Sequence, residues 1–194
     1  MNTFLADKKI ILASNSPRRK ELLTLLGLKF EVFASSAKEI IDYQQSFGKI
    51  TEELAKQKVQ AVAQHFSPDT IIIGGDTIVC NDNVILGKPK DKDEAIEMLQ
   101  KLSNKWHSVI SSLCVYYNGN FWLDHDETKV HFLSLTDENI HFYIDQYTPF
   151  DKAGAYGIQE WIGLHYIDKI EGSFYTVMGF PTHLLYPLLH KISF

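Results

Sequence analysis

The sequence is poor in several things, and each scarcity narrows the possibilities. Two cysteines occur in 194 residues, Cys80 and Cys114. They are far apart and form no CxxC pair, which argues against a disulfide scaffold or a Cys/His zinc module. Two buried thiols in a reducing compartment is the expectation, a single structural disulfide the alternative. No apolar run approaches the roughly 20 residues that a membrane helix needs. The stretch Met1 to Lys9 has no long apolar segment behind a basic start, so no secretory signal is visible, and a cytoplasmic protein without membrane partners is expected. Positive charge is not in surplus either: 19 Lys and Arg face 24 Asp and Glu, a net −5. That balance argues against a nucleic acid polymer as partner, because backbone affinity rests on a broad basic face. Finally, the GxxxxGK[ST] loop, a GxGxxG after the first strand, the GxSxG elbow and the HExxH pair are all missing. P-loop hydrolases, dinucleotide oxidoreductases, α/β-hydrolases and zincins lose support accordingly.

What is present is ample core material: 45% hydrophobic residues, 12% aromatic. The length suits one domain, 1–194, or two merged lobes. Short β-prone runs at 9–13, 30–33 and 70–80 alternate with helical patterns at 17–26, 51–66 and 91–102. Gly74-Gly75-Asp76 is expected to interrupt the third strand. Asn81-Asp82-Asn83 reads as a hairpin turn into Val84-Ile85-Leu86. Two long β stretches, 106–117 and 121–135, precede a helix capped by Thr136. The segment 151–163 reads as irregular, 164–170 as a strand and 181–192 as a closing helix. Intermixed strands and helices define an α/β class, with an elongated mixed β-sheet flanked by helices.

Four constellations could carry chemistry. In Ser14-Asn15-Ser16-Pro17-Arg18-Arg19 a strand gives way to a small polar loop and a helix start. Free N–H groups and the helix dipole favour an anion there, and acids, not arginines, are the usual occupants of a first turn. Two arginines make sense if a phosphate chain docks at that point, since the guanidinium fork grips phosphate oxygens in pairs. In Gly74-Gly75-Asp76-Thr77, a carboxylate at the end of Ile71-Ile72-Ile73 is costly without a role or a partner. Asp76 could hold a divalent ion or take a proton from water. Gly87-Lys88-Pro89 offers a stiffened loop bearing a point charge. In Asp151 to Gln159, small residues surround Tyr156 and Gln159, and a Gln amide has the donor and acceptor that a base edge requires. Each constellation alone is also compatible with an ordinary turn, helix start or loop, and Lys58 and Glu39 alone read as solvated surface. Asp124-His125-Asp126-Glu127 resembles a metal cluster, but neighbours on a strand alternate between faces, so the four are not expected to converge.

Together the segments resemble the Maf family of nucleoside triphosphate pyrophosphatases. The resemblance runs nearly end to end, through residues 12–23, Leu54-Ala55 with Lys58, 75–79, 87–89, Leu102-Ser103 with His107-Ser108-Val109, 151–159, and Gly172-Ser173 with Val177, Gly179 and Pro181. It implies an ITPase-like (Maf/Ham1-type) two-lobed single domain, often a homodimer. It also implies cleavage between the α- and β-phosphates of a nucleoside triphosphate with the help of Mg²⁺ or Mn²⁺. By that resemblance Asp76 is the catalytic proton acceptor; Ser14, Arg18, Arg19, Lys58 and Lys88 face phosphate; and Arg18, Thr77 and Gln159 set substrate selectivity. Glu39 and Asp76 are the implied metal-holding carboxylates, with base and ligand not assigned between them. Tyr156-Gly157-Ile158-Gln159 is similar to the branch acting on dTTP and UTP, with modified pyrimidine nucleotides as further house-cleaning targets. A 7-methyl-GTP pyrophosphatase, or a nucleotide-binding regulator of septum formation with incidental hydrolysis, are the alternatives. Glu160-Trp161, Asn104 and Tyr175 depart from the family pattern; the first two adjoin the implied base reader.

Overall fold

A computed structural model describes residues 5, 7–36 and 38–192. Strand β1 (Ile10–Leu12) leads to helix α1 (Pro17–Leu25), the short β2 (Glu31–Val32) and helix α2 (Phe47–Ala63). Strand β3 (Ile71–Asn81) and β4 (Val84–Leu86) follow, then helix α3 (Lys92–Leu102) and the long strands β5 (Trp106–Tyr117) and β6 (Asn120–Phe132). The chain closes with helix α4 (Asp137–Tyr147), two 3₁₀ turns (Pro149–Asp151, Ala153–Ala155), helix α5 (Trp161–Tyr166), strand β7 (Ile167–Glu171), the short α6 (Phe174–Val177) and α7 (Thr182–Lys191). The strands form one seven-stranded sheet in the order β2-β1-β3-β5-β6-β7, with β4 paired to β3. β1 is parallel to β2 and β3, whereas β3–β4 and β6–β7 are antiparallel. The mixed sheet with helices is the architecture the sequence implies. Among the described residues, no helix is long and apolar enough to cross a membrane.

Three expectations are corrected. The two glycines and Asp76 do not interrupt β3, which runs unbroken from Ile71 to Asn81. Helix α2 begins at Phe47, with Ser46 as its N-cap, rather than at Thr51. Gly48 sits inside its first turn because the His125 ring packs where a Cβ would stand, and a glycine there masks the helical pattern. The strand expected at 164–170 divides into α5 and β7. At Gly163 a Cβ would collide with the Ile158 carbonyl, so only glycine lets the turn of α5 close onto the preceding loop. The Asn81–Asn83 hairpin holds: Asp82 and Asn83 both adopt positive φ, 50° and 62°, as a two-residue turn of matching twist requires.

The chain divides into two compact units, one of Met1–Asp76, Ser111–Asp126 and Gly179–Phe194, the other of Thr77–Ile110 and Glu127–Met178. In the first, α2 lays Ala55, Val59 and Val62 on Ile11, Ala13, Ile72 and Cys114, none more than 1% exposed. Burying this apolar layer contributes to the unit's stability at roughly 25 cal/mol per Å² removed from water. Cys114 belongs to it; burial pushes its thiol up to about 12, so it serves as a small hydrophobe. Both cysteines are buried and free. In the second unit α3 and α4 pack together. Asp91 caps α3 by accepting from the Glu94 N–H at 2.8 Å, and Thr136 and Asn139 form a reciprocal capping box on α4. His107, Phe132 and Tyr156 pack ring against ring in the same unit.

Candidate active site

The first unit gathers six of the residues singled out in the sequence. Helix α1 starts at Pro17 behind the N-cap Ser16, whose side chain makes no cap bond, and no acid occupies the first turn. The Ser14 hydroxyl takes over part of that task, accepting from the Ser16 N–H at 3.1 Å and from Arg19 Nη1 at 3.4 Å. Arg19 is buried, and its Nε donates to the Gly179 carbonyl at 2.9 Å. Its guanidinium therefore ties the loop before α1 to the segment before α7. Burial lowers the Arg19 pKa from its ordinary value; Asp76 and Glu39 pull it back up and Arg18 pushes it further down. Arg18, Glu39 and Asp76 are thus within electrostatic reach of one guanidinium.

The two glycines explain how Asp76 acquires a partner. A Cβ on Gly74 would stand 2.5 Å from Val59 Cγ2, so its absence lets α2 lie close against β3. A Cβ on Gly75 would stand 2.6 Å from the Ser112 carbonyl, so its absence lets β5 draw near on the other side. One residue before Val59, Lys58 projects from α2 and its Nζ bonds Asp76 Oδ1 directly. The same ammonium holds Glu39 Oε1 at 2.9 Å. Asp76 is 7% exposed in an otherwise apolar strand, and this pairing offsets the desolvation of its charge. Lys58 and Glu39, unremarkable as isolated letters, are joined to Asp76 by the fold.

Thr77, Lys88 and Gln159 belong to the second unit. Thr77 is half-buried in β3, and Lys88 is exposed in the loop after β4. That loop is tied to the irregular segment by the Gly154 N–H, which donates to the Gly87 carbonyl at 3.0 Å. Gln159 occupies a turn closed by the Glu160 N–H on the Gly157 carbonyl at 3.0 Å. Its Oε1 is buried with no hydrogen-bond partner, one of two such atoms among the described residues; the other is His107 Nδ1. Buried acceptors are nearly always satisfied, so an orphan on an amide is a signal of a ligand group.

A second cluster escaped sequence reasoning. Glu52, Asp124 and His125 bring one ligand atom each within 4.8 Å of one another. The alternation argument holds for Asp126 and Glu127, which turn to His183 and Ser108. It fails for Asp124 and His125, because Glu52 of α2, far away in sequence, completes the group. Protein partners already engage Glu52: His125 Nδ1 at 2.6 Å and Lys49 Nζ at 2.5 Å. Burial pushes the Glu52 carboxyl up, yet those two hydrogen bonds prevail and hold it below the usual carboxylate range.

A mixed α/β sheet bearing a buried carboxylate, a bridging ammonium and an arginine pair at a helix start defines a protein equipped to meet an anion. Comparison with known sequences is more specific. The chain belongs to the family described as Maf-like protein, whose profile matches residues 9–192. It is 45% identical over 185 residues to a protein of Flavobacterium johnsoniae named dTTP/UTP pyrophosphatase, covering 95% of each chain. Relatives of the same name from Aquifex aeolicus (44% identical, 95% of this chain and 96% of that one) and Phocaeicola vulgatus (46%, 97% and 98%) match over nearly full length. Among solved structures, the Ham1 protein of Staphylococcus aureus aligns over 64% of this chain and 72% of its own, with a TM-score of 0.46 and 16% identity.

Proposed function

We propose that the protein is a nucleoside triphosphate pyrophosphatase that converts dTTP and UTP to the nucleoside monophosphate and pyrophosphate. The observation that carries this reading is the gathering of Lys58, Glu39 and Asp76, with Arg19 in electrostatic reach of both carboxylates and of Arg18. The names of the relatives agree with it.

A triphosphate carries about four negative charges near neutral pH, and phosphoryl transfer asks of a protein mainly position and charge. Arg18, in the first turn of α1, takes phosphate oxygens with its guanidinium fork. Arg19 and Ser14 hold that loop in shape, and Lys58 and Lys88 supply point charges. Glu39 and Asp76 aim hard carboxylate oxygens at one cationic centre, a donor set suited to Mg²⁺ or Mn²⁺. Bound by these two carboxylates, such an ion would add positive charge against the leaving pyrophosphate. Asp76 accepts the proton of the attacking water. Gln159 reads the base: thymine and uracil present an N–H between two carbonyls, which suits its orphan Oε1, whereas cytosine presents a ring acceptor at the same place.

The test is pyrophosphate release from dTTP, UTP, CTP and 7-methyl-GTP with Mg²⁺ or Mn²⁺, wild type beside Asp76→Asn. Pyrophosphate from dTTP and UTP, lost in the variant, is the expected result. Orthophosphate as the first product would move the cleaved bond and defeat the assignment; turnover of 7-methyl-GTP alone would defeat the base reading.

A further inference from the structure

The turn that carries Gln159 is fastened at both ends by one buried hydroxyl. Tyr143 of α4 is fully buried, its ring stacked on Tyr147 at 5.2 Å. Its oxygen accepts from the Gly157 N–H at 3.0 Å and donates to Glu160 Oε2. Gly157 and Glu160 are the first and last residues of the turn, with Ile158 and Gln159 between them. A largely desolvated carboxylate, such as that of Glu160 with its side chain 18% exposed, is favoured by a charged partner. Lys152, 7% exposed, supplies it, its Nζ lying 3.1 Å from Glu160 Oε1 and 2.7 Å from Asp151 Oδ1. The fit is close: a Cβ on Gly157 would come within 2.9 Å of the Glu160 carboxylate. Ordinary loops are not fixed this way. A four-residue turn needs its own hydrogen bond and little else. Here a buried phenol, a buried ammonium and a half-buried carboxylate hold a turn whose side-chain amide oxygen is left buried without a partner.

We propose that Tyr143, Glu160 and Lys152 form a positioning device that sets the Gln159 amide to receive an N–H donor of the pyrimidine base, and so govern discrimination between uracil-type and cytosine-type nucleotides. This rests on the pyrophosphatase reading above. None of the three touches the reacting phosphates in this scheme; they act through Gln159. The physical reason is that an acceptor free to swing pairs with either base edge through water, while a fixed one leaves the wrong base unpaired. Tyr143 is the keystone because its single oxygen serves both turn ends.

The experiment measures kcat and KM for UTP and CTP in wild type, Tyr143→Phe, Glu160→Ala and Glu160→Gln. Tyr143→Phe and Glu160→Ala are expected to raise the KM for UTP about tenfold and cut the UTP-to-CTP ratio of kcat/KM about tenfold, with kcat for UTP within about twofold. Glu160→Gln keeps a carbonyl to accept from Tyr143 and retains most of the preference. An unchanged KM and ratio in Tyr143→Phe overturns the proposal. So does an equal fall in kcat for both nucleotides, which marks a merely structural role. Should Glu160→Ala fail to fold, Tyr143→Phe, which removes one oxygen, decides the matter. If wild type releases no pyrophosphate from any nucleotide, the functional reading fails instead. The device is then read by calorimetric titration with UMP and CMP: a UMP preference lost in Tyr143→Phe supports it, and equal binding in wild type overturns it.

Discussion

The two units handle polarity differently. In the first, the singled-out groups are charged and neutralise one another: the Lys58 ammonium lies against Asp76 and Glu39, and Arg19 is balanced between Asp76, Glu39 and Arg18. In the second, around Gln159, directional hydrogen bonds are backed by one ion network: a phenol accepts from a peptide N–H and donates to the Glu160 carboxylate, Lys152 joins that carboxylate to Asp151, and an imidazole bonds a second phenol, while the Gln159 amide oxygen has no bonded partner. Coulombic pairing acts over several ångströms and tolerates loose geometry, whereas a hydrogen bond fades steeply with distance and angle. A phosphate chain is read by charge and a base by its pattern of donors and acceptors. Under the proposed function, the residues of the charged cluster govern the rate and those around Gln159 the choice of nucleotide.

Breaking the charged side is expected to have the largest effect. Asp76→Asn removes the proposed proton acceptor and leaves Lys58 without its nearest carboxylate. Turnover measured as pyrophosphate release should fall by about 10²–10⁴, the range typical of a lost general base. Lys58→Ala comes next, with a loss of about 10²-fold, the lower end for removing a group that stabilises developing charge. In both variants the UTP-to-CTP ratio should persist. A ratio that collapses with Asp76→Asn would erase the proposed division of labour.

The sequence revealed the charged side unevenly. Arg18 and Arg19 at a helix start, and Asp76 behind three isoleucines, each violate a local rule, so they are visible without coordinates. Gly74 and Gly75 read as a break in the strand and prove to be close-approach positions, with α2 on one side and the Ser112 carbonyl on the other. Lys58 and Glu39 break no local rule, and only family resemblance marks them. Tyr143 was invisible for a plainer reason. In the pattern of α4 it is one more apolar-face aromatic, and its partners Gly157 and Glu160 lie 14 and 17 residues on, in a segment with no periodicity. The strand mistaken over 164–170 shares that cause, since a six-residue helix is too short to impose its period.

The close-approach glycines offer a sharper comparison of intermediate size. Gly75→Ala meets a backbone carbonyl in β5 that cannot move without shifting the strand, so a loss of about 1–3 kcal/mol is expected, read by denaturant or thermal unfolding. Gly157→Ala meets the end of the Glu160 side chain, which can swing aside. It should cost less stability but lower the UTP-to-CTP ratio, because the displaced carboxylate leaves Tyr143. A larger stability loss at Gly157 than at Gly75 would reverse the order that the contacts dictate.

The smallest effect at neutral pH belongs to His107. Its Nε2 bonds the Tyr156 hydroxyl at 2.7 Å, its Nδ1 is an orphan, and burial, with help from His131, pushes its pKa down to about 3. In the unfolded chain a histidine titrates near 6.5. Between about 6.5 and about 3 the unfolded state therefore binds a proton that the native state refuses, so stability rises with pH across that window and is lost as pH falls through it. Each unit of pH in the steep part is worth at most about 1.4 kcal/mol, and above about 7.5 the contribution no longer changes with pH. His107→Phe removes the titrating group. Its melting temperature should drop less between pH 7.5 and pH 5 than that of wild type, whatever the substitution costs at pH 7.5 by leaving the Tyr156 hydroxyl without its partner. Equal acid slopes in the two proteins would mean that His107 reaches solvent and protons, and that the dry environment assigned to His107 and Tyr156 is mistaken.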